Sequence, residues 1–351
     1  MASQVTLARG ARWPGIAWLA TPWLWLAALT TGIALVSIGI GRFYVPPDRV
    51  AAILLSHVLP LAPTWSGSEA NVVELIRLPR IGVAATVGAG LAIAGAALQG
   101  AFRNPLIGPQ IVGVSSGAAF GGALAIILGL TALGLLSLAF LTGLAAIAIV
   151  LLLARVDGRS PVLMLVLAGV VVSAFFSALV SLLTFFADPE DDLPAIVYWL
   201  MGSFASASYA KFAIMAAALA IGGGFLIAIR FRLNVLSLGD EEAEALGVKV
   251  EPTRWAVLCA VALLTAASVA VAGVVGWIGL VVPHLARMIV GPDHQRLLPA
   301  AALLGAGYAI LIDDLARAAT TAEIPLGILT AIVGAPVFAI LLRRTRAGGW
   351  R

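Results

Sequence analysis

Residues 162–186 read VLMLVLAGVVVSAFFSALVSLLTFF. The run has no charged side chain and exceeds the roughly 20 residues a helix needs to cross the hydrocarbon core of a bilayer. Similar runs recur along the whole chain. Of its 351 residues 62% are hydrophobic and 11% charged, with a mean hydropathy of +1.08. Soluble domains hold about half apolar and about a quarter charged residues. The chain is therefore read as an all-α, polytopic membrane protein forming a single domain over residues 1–351, with room for about ten spans.

From that run outward, spans are predicted at Ala17–Ile40, Ile81–Phe102, Ile111–Leu130, Leu133–Leu153 and Val162–Phe186. A sixth ends near Ile229, a seventh covers Trp255–Ala272, and the last two cover Leu297–Leu311 and Leu326–Leu342. Between them Gly273, Gly276, Gly279 and Pro283 predict a short or broken eighth helix, whose irregular backbone needs shielding by protein. The stretch between the first two spans reads as an outer loop. In the second span Gly88, Ala92, Ala96 and Gly100 form a ridge of small residues every four positions, which lets helices approach closely in lipid. The opening MASQVTLARGARWPG lacks a small-residue cleavage site and reads as a cytoplasmic tail.

Several function classes fall away. The single cysteine, Cys259, excludes an intrachain disulfide and a cysteine metal cluster. The lysines, Lys211 and Lys249, do not follow a glycine, so the chain has no Walker A loop and any ATP and magnesium must belong to another chain. A secondary transporter, the alternative class, needs intramembrane acidic groups, and the spans hold almost none, with Asp313 and Asp314 at a helix end; a membrane enzyme needs converging titratable groups, which the spans do not offer. His284 and His294 read as structural and His57 as solvated, so no metal ligand is assigned. The net charge of +4 is explained by topology, not nucleic acid. With both termini inside, most basic residues fall on the inner side as the positive-inside rule asks. Arg77, Arg80 and Arg317 fall outside, against that rule.

Residues 231–250, FRLNVLSLGDEEAEALGVKV, separate the two apolar halves and fall inside. Asp240 reads as an N-cap with Glu241, Glu242 and Glu244 behind it, and Gly239 precedes it. Gly247 reads as the C′ stop. Leu236, Leu238, Ala243 and Leu246 supply the apolar side. The segment is either a solvated connector or an amphipathic docking element for a soluble partner. Ser173, Ser177 and Ser181, four apart in the fifth span, either glue helices together or line a polar pathway.

Six strings, in order along most of the chain, carry a resemblance: RLPR (Arg77–Arg80), GAGLAIAGAALQGAFRNPLIGPQIVGVSSGA (Gly88–Ala118), LNVLSLGDEEAEALGV (Leu233–Val248), GWIGLVVPHLARMIVGPDHQRLLP (Gly276–Pro299), DDLAR (Asp313–Arg317) and EIPLGILTAIVGAPVFAILLRR (Glu323–Arg344). Together they resemble the FecCD-type permease family, the membrane subunits of bacterial type II ABC importers for ferric siderophores, heme and cobalamin. The resemblance implies a ten-helix homodimer in the inner membrane, two ABC ATPase subunits docked on the cytoplasmic side and a periplasmic substrate-binding protein on the other. It makes Leu236–Gly247 the coupling segment and Arg77, Arg80 and Arg317 binding-protein docking residues; the alternative for these arginines is headgroup anchoring or local pairing with Glu74, Asp313 or Asp314. Asn104, Pro105 and Leu106 match the family's gate turn, with Val162 and Leu163 as its other half. The serine stripe then lines the pathway. Among such importers the chain looks nearest those for heme.

Overall fold

The computed structural model describes residues 17–60, 62–155 and 160–348. The N-terminal tail, expected inside, lies outside the described residues, as does the end of the C-terminal tail. The described residues form helices and connecting turns. They open with α1 (Ala17–Gly39), α2 (Pro47–Ser56) and α3 (Gly67–Asn71), which passes through a π turn at Val72–Arg77 into α4 (Leu78–Ala101). The expected outer loop is thus partly helical, and the second span starts at Gly67 rather than Ile81. Its start is set by a capping box: the Glu69 amide donates to Ser66 Oγ (3.2 Å) while the Ser66 amide donates to Glu69 Oε2 (2.7 Å).

A 3₁₀ turn at Pro109–Val112 and Gly113 at φ +84° precede α5 (Val114–Ile127), which is shorter than expected. Then come α6 (Ala132–Leu153), α7 (Val162–Phe186), α8 (Asp192–Leu200), α9 (Tyr209–Ala218), a π turn at Leu219–Gly223 and α10 (Gly224–Ala228). The short helices α11 (Arg230–Leu236) and α12 (Asp240–Ala245) lead to α13 (Val250–Ala272), α14 (Ile278–Val290), α15 (His294–Ala318) and α16 (Leu326–Gly348). Seven helical stretches are long and apolar enough to cross a membrane, and three shorter apolar helices, Val114–Ile127, Ile278–Val290 and Leu326–Leu341, accompany them. That accounts for ten apolar elements among the described residues.

The small-residue ridge decides what lies at the centre. A Cβ on Gly88 would sit 2.1 Å from the Gly305 carbonyl oxygen, and one on Gly95 would sit 1.8 Å from that of Gly279. Thus α4 meets α15 and α14 backbone to backbone, where only missing side chains permit van der Waals contact. The span containing α4 is 78% buried, as is α13, against 28% for α7 and 17% for α1. The core post is α4, flanked by α13, α14 and α15, while α1 and α7 turn long faces away from the chain's own packing.

The expected break before α14 is present. Helix α13 stops at Gly273 (φ +71°), and residues 274–277 are irregular before Ile278. Their shielding comes from other chain breaks. The Ser203 amide donates to the Ala272 carbonyl (2.8 Å), Leu326 to Gly202 (2.9 Å) and Gly327 to Met201 (2.8 Å). Three interruptions therefore satisfy one another's main-chain groups, as irregular backbone at membrane depth must. Trp277 is held at φ +65°, its ring edge-on to Phe338 of α16 with centroids 6.4 Å apart.

Candidate functional site

At one end of the bundle α11 and α12 form the segment expected to couple to a partner. Gly247 ends α12 as foreseen. At φ +80° it lets its own amide donate to the Glu244 carbonyl (2.9 Å) while the Val248 amide reaches Ala243 (2.9 Å), the paired bonds of a Schellman stop. The start differs from expectation. Gly239, at φ +148°, occupies the cap, and Asp240 is the first helical residue with no capping bond. Its Oδ1 instead accepts from Arg254 Nη2 (2.8 Å), because a buried guanidinium on α13 offers a charge-assisted bond that the amides do not match. Leu236 and Ala243 are buried and anchor the segment. Leu238 and Leu246 remain 59% and 62% exposed, beside the acidic rim of Glu241, Glu242 and Glu244. The apolar surface offered to a partner is thus narrower than the sequence predicts.

The expected gate turn lies beside this segment. Asn104 Oδ1 accepts from the Leu106 amide (2.9 Å), fixing the Asn-Pro-Leu turn. Arg103, at φ +49°, reaches toward Gly239, where a Cβ would lie 3.3 Å from its Nη1. On the other expected half, α7 begins immediately after Pro161. Leu106 and Leu163 are 47% and 67% exposed. Behind them Ile107 and Ile111 of the turn and Leu165 and Val166 of α7 line one small apolar space, so the two halves belong to one packed unit.

Polar ties that local sequence patterns do not reveal join both halves to the coupling segment. Asn234 of α11 donates through Nδ2 to Asp293 Oδ1 (2.6 Å), and its Oδ1 accepts from the His294 amide (2.8 Å) with His294 Nδ1 also 2.8 Å away. The His294 ring occupies the notch that Gly100 leaves on α4, one turn before Asn104. On the α7 side, Ser160 Oγ donates to Glu251 Oε1 (3.1 Å) and accepts from Trp255 Nε1 (3.2 Å). Glu251 and Trp255 open α13, directly after the coupling segment. His294 thus has the structural place expected of it.

At the opposite end Arg77, Arg80 and Arg317 are all buried. Arg80 donates to Asp313 through three contacts of 2.8–3.0 Å and to Glu323 through two of 2.9 Å. Arg317 binds Asp314 and the Ser37 carbonyl, and Ser37 Oγ donates to Asp314 (2.7 Å). Arg77 donates to the Ile38 and Phe43 carbonyls. The three guanidinium groups are therefore occupied within the chain. Arg80 and Arg317 thus make the local pairs of the alternative reading, with Asp313 and Asp314, whereas Glu74 lies 3.6 Å from His57. Outside the spans, hydrogen bonds from Arg80 hold the Glu323 carboxyl below its ordinary value of 4.5.

On α7, Ser177 and Ser181 are exposed and Ser173 is half-buried. Ser181 Oγ donates to the Ser177 carbonyl of its own helix (3.0 Å). Among the described residues none of the three hydroxyls bonds another helix. Ser177 and Ser181 sit on the face that α7 turns away from the chain.

The model of the FecCD transport family matches residues 29–344. A molybdate import system permease protein of Haemophilus influenzae is 44% identical over 92% of this chain and 96% of its own length. A hemin transport system permease protein of Yersinia pestis is 42% identical over 77% and 83%. A solved metal-chelate type ABC transporter in an inward-facing conformation superposes with a TM-score of 0.84 at 43% identity, covering 92% of this chain and 99% of that one.

Proposed function

This chain belongs to the FecCD transport family, and on that premise we propose that it forms the membrane pathway of an ATP-driven importer as one half of a homodimer. Two separate ABC ATPase subunits seat the exposed Leu238 and Leu246, so ATP hydrolysis is theirs and this chain is not an enzyme. A periplasmic substrate-binding protein delivers cargo at the arginine end, and the chain sits in a bacterial inner membrane with both termini cytoplasmic. Within this reading the buried arginines shape the docking surface rather than reach across it.

The observation that carries the proposal is the arrangement at the coupling end. Two exposed leucines flank a short helix bordered by acidic residues, and contacts lead from that segment toward both expected gate halves, through Asn234 and His294 to the Gly100 notch of α4 and through the start of α13 to Ser160. A partner that moves on nucleotide binding displaces the leucines, and the displacement passes through Asn234 to α4 and through α13 to Ser160. The exposed face of α7, with Leu163, Leu167 and Val171, then meets the second copy. Ser177 and Ser181 give the pathway small uncharged hydroxyls, which suit a wall that must not hold its cargo tightly.

The cargo is read as heme or a related iron chelate, with ferric siderophore and cobalamin as alternatives. Relatives weaken the preference for heme, since the hemin and molybdate permeases are 42% and 44% identical to this chain. The test is uptake in proteoliposomes carrying this chain with its ATPase and binding protein, offered heme, a ferric siderophore, cobalamin and molybdate in parallel. ATP-dependent uptake of one compound supports the class and identifies the cargo. Uptake without ATP would refute the importer reading.

A further inference from the structure

Trp23 of α1, Arg230 of α11 and Asp293, Gln295, Arg296 and Pro299 around the start of α15 line a polar cavity of about 400 Å³. The import reading gives it no role. Arg230 and Arg296 are exposed, and among the described residues neither is in an ion pair. Asp293, the one acidic wall, already accepts from Asn234 Nδ2 (2.6 Å) and from the Gln295 amide (2.9 Å). Desolvation raises its pKa, but those bonds and the nearby charge of Arg296 outweigh it and hold the carboxyl below the ordinary carboxylate range. The lining therefore carries one net positive charge, the complement of a singly charged phosphodiester.

The surroundings decide which phosphate fits. Of residues 22–39 of α1 only 17% are buried, and next to Trp23 its Leu24 and Trp25 are 69% and 72% exposed, so the cavity opens beside an exposed apolar face of a membrane span. Tryptophan concentrates at the bilayer interface, and arginines there place their charge at headgroup level while their stems stay apolar. Basic pockets between spans on the inner side take anionic headgroups. We propose that this cavity binds the headgroup of an anionic phospholipid of the inner leaflet, phosphatidylglycerol in type. Through Asp293 the bound lipid stands one hydrogen bond from Asn234, so leaflet composition would bear on the coupling segment.

The test is native mass spectrometry of the full chain purified in detergent and titrated with phosphatidylglycerol or phosphatidylcholine. The wild type is expected to retain phosphatidylglycerol in clear excess. Replacing both Arg230→Gln and Arg296→Gln should reduce that excess by about fivefold per arginine, while Arg230→Lys with Arg296→Lys should keep most of it. Arg42→Gln with Arg155→Gln, which removes two exposed charges elsewhere, should leave it unchanged. Equal retention by the Gln pair would overturn the proposal, as would equal loss in the control pair. Displacement by millimolar inorganic phosphate would also overturn it, marking an ion site instead of a lipid site. None of these outcomes depends on the import reading.

Discussion

Arg80 is the residue at which a structural and a docking role part most sharply. Replacing it by methionine keeps the length and apolar packing of the side chain. Asp313, 1% exposed, then loses three donor contacts of 2.8–3.0 Å and keeps only Arg317 at 3.7 Å. Breaking a buried pair by removing one partner costs about 3–5 kcal/mol, because the other charge is left uncompensated. Glu323 can turn to water and Arg317 still faces Asp313, so the loss for Arg80→Met should lie at the lower end, about 3 kcal/mol. Removing both charges with Arg80→Met and Asp313→Leu should recover most of it, since an apolar pair of similar volume is often neutral. Thermal unfolding followed by tryptophan fluorescence in detergent, run as a double-mutant cycle, measures both. If Arg80→Met leaves stability unchanged, or if the double variant loses the sum of the single losses, the cluster does not hold this end of the bundle. Arg80 would then return as a docking cation.

The other predictions concern separate parts of the molecule. Leu238→Glu or Leu246→Glu should leave unfolding unchanged, since both side chains are mostly exposed. Each should weaken association with the partner ATPase about tenfold or more, given roughly 1.5–3 kcal/mol for burying a leucine, as read by co-purification across a concentration series. Ser160→Ala should cost only about 1 kcal/mol of stability yet raise the ATP hydrolysed per cargo molecule imported, with Ser160→Thr restoring the ratio. Gly95→Ala, whose Cβ would lie 1.8 Å from the Gly279 carbonyl, should destabilise by about 1–3 kcal/mol or more; Gly224→Ala, with nothing within 4 Å, should not. Because Arg80 lowers the Glu323 pKa, that pair stabilises fully above the unfolded value and loses its contribution as pH falls through the lower folded value. Stability measured from pH 6 down to 3 should fall less steeply in Glu323→Gln than in the wild type.

Apolarity alone located most spans, because a bilayer admits few solutions for a backbone that must satisfy itself. The glycine ridge was legible for the same reason: residues four apart share a helix face. The capping box at Ser66–Glu69 was also present in the local sequence, and recognising it would have extended the second span. Asp240 followed the usual N-cap rule and broke it, since Arg254 lies outside any capping pattern and competed for the carboxylate. The arginine cluster was beyond local reading, because Arg80 meets Asp313 and Glu323 across 233 and 243 residues. Positive charge on the outer side reads as a signal to a partner; within the fold Arg80 and Arg317 meet acidic residues and Arg77 meets main-chain carbonyls. The ties through Asn234 and Ser160 were hidden in the same way.

The meeting of Met201–Ser203, Ala272–Gly273 and Leu326–Gly327 is made of peptide groups. Side chains can be exchanged there without altering the bonds that join α13 and α16 to the turn after α8, provided the crowded glycines remain. Substitution can therefore change what coats this junction far more readily than how it is articulated. Homologues that diverge in cargo would be free to vary their pathway walls while inheriting the same joint. In hydrogen exchange the amides of Ser203, Leu326 and Gly327 should be as slow as those of mid-helix residues, despite lying where helices stop or begin. A chain break would then serve as a fixed bearing.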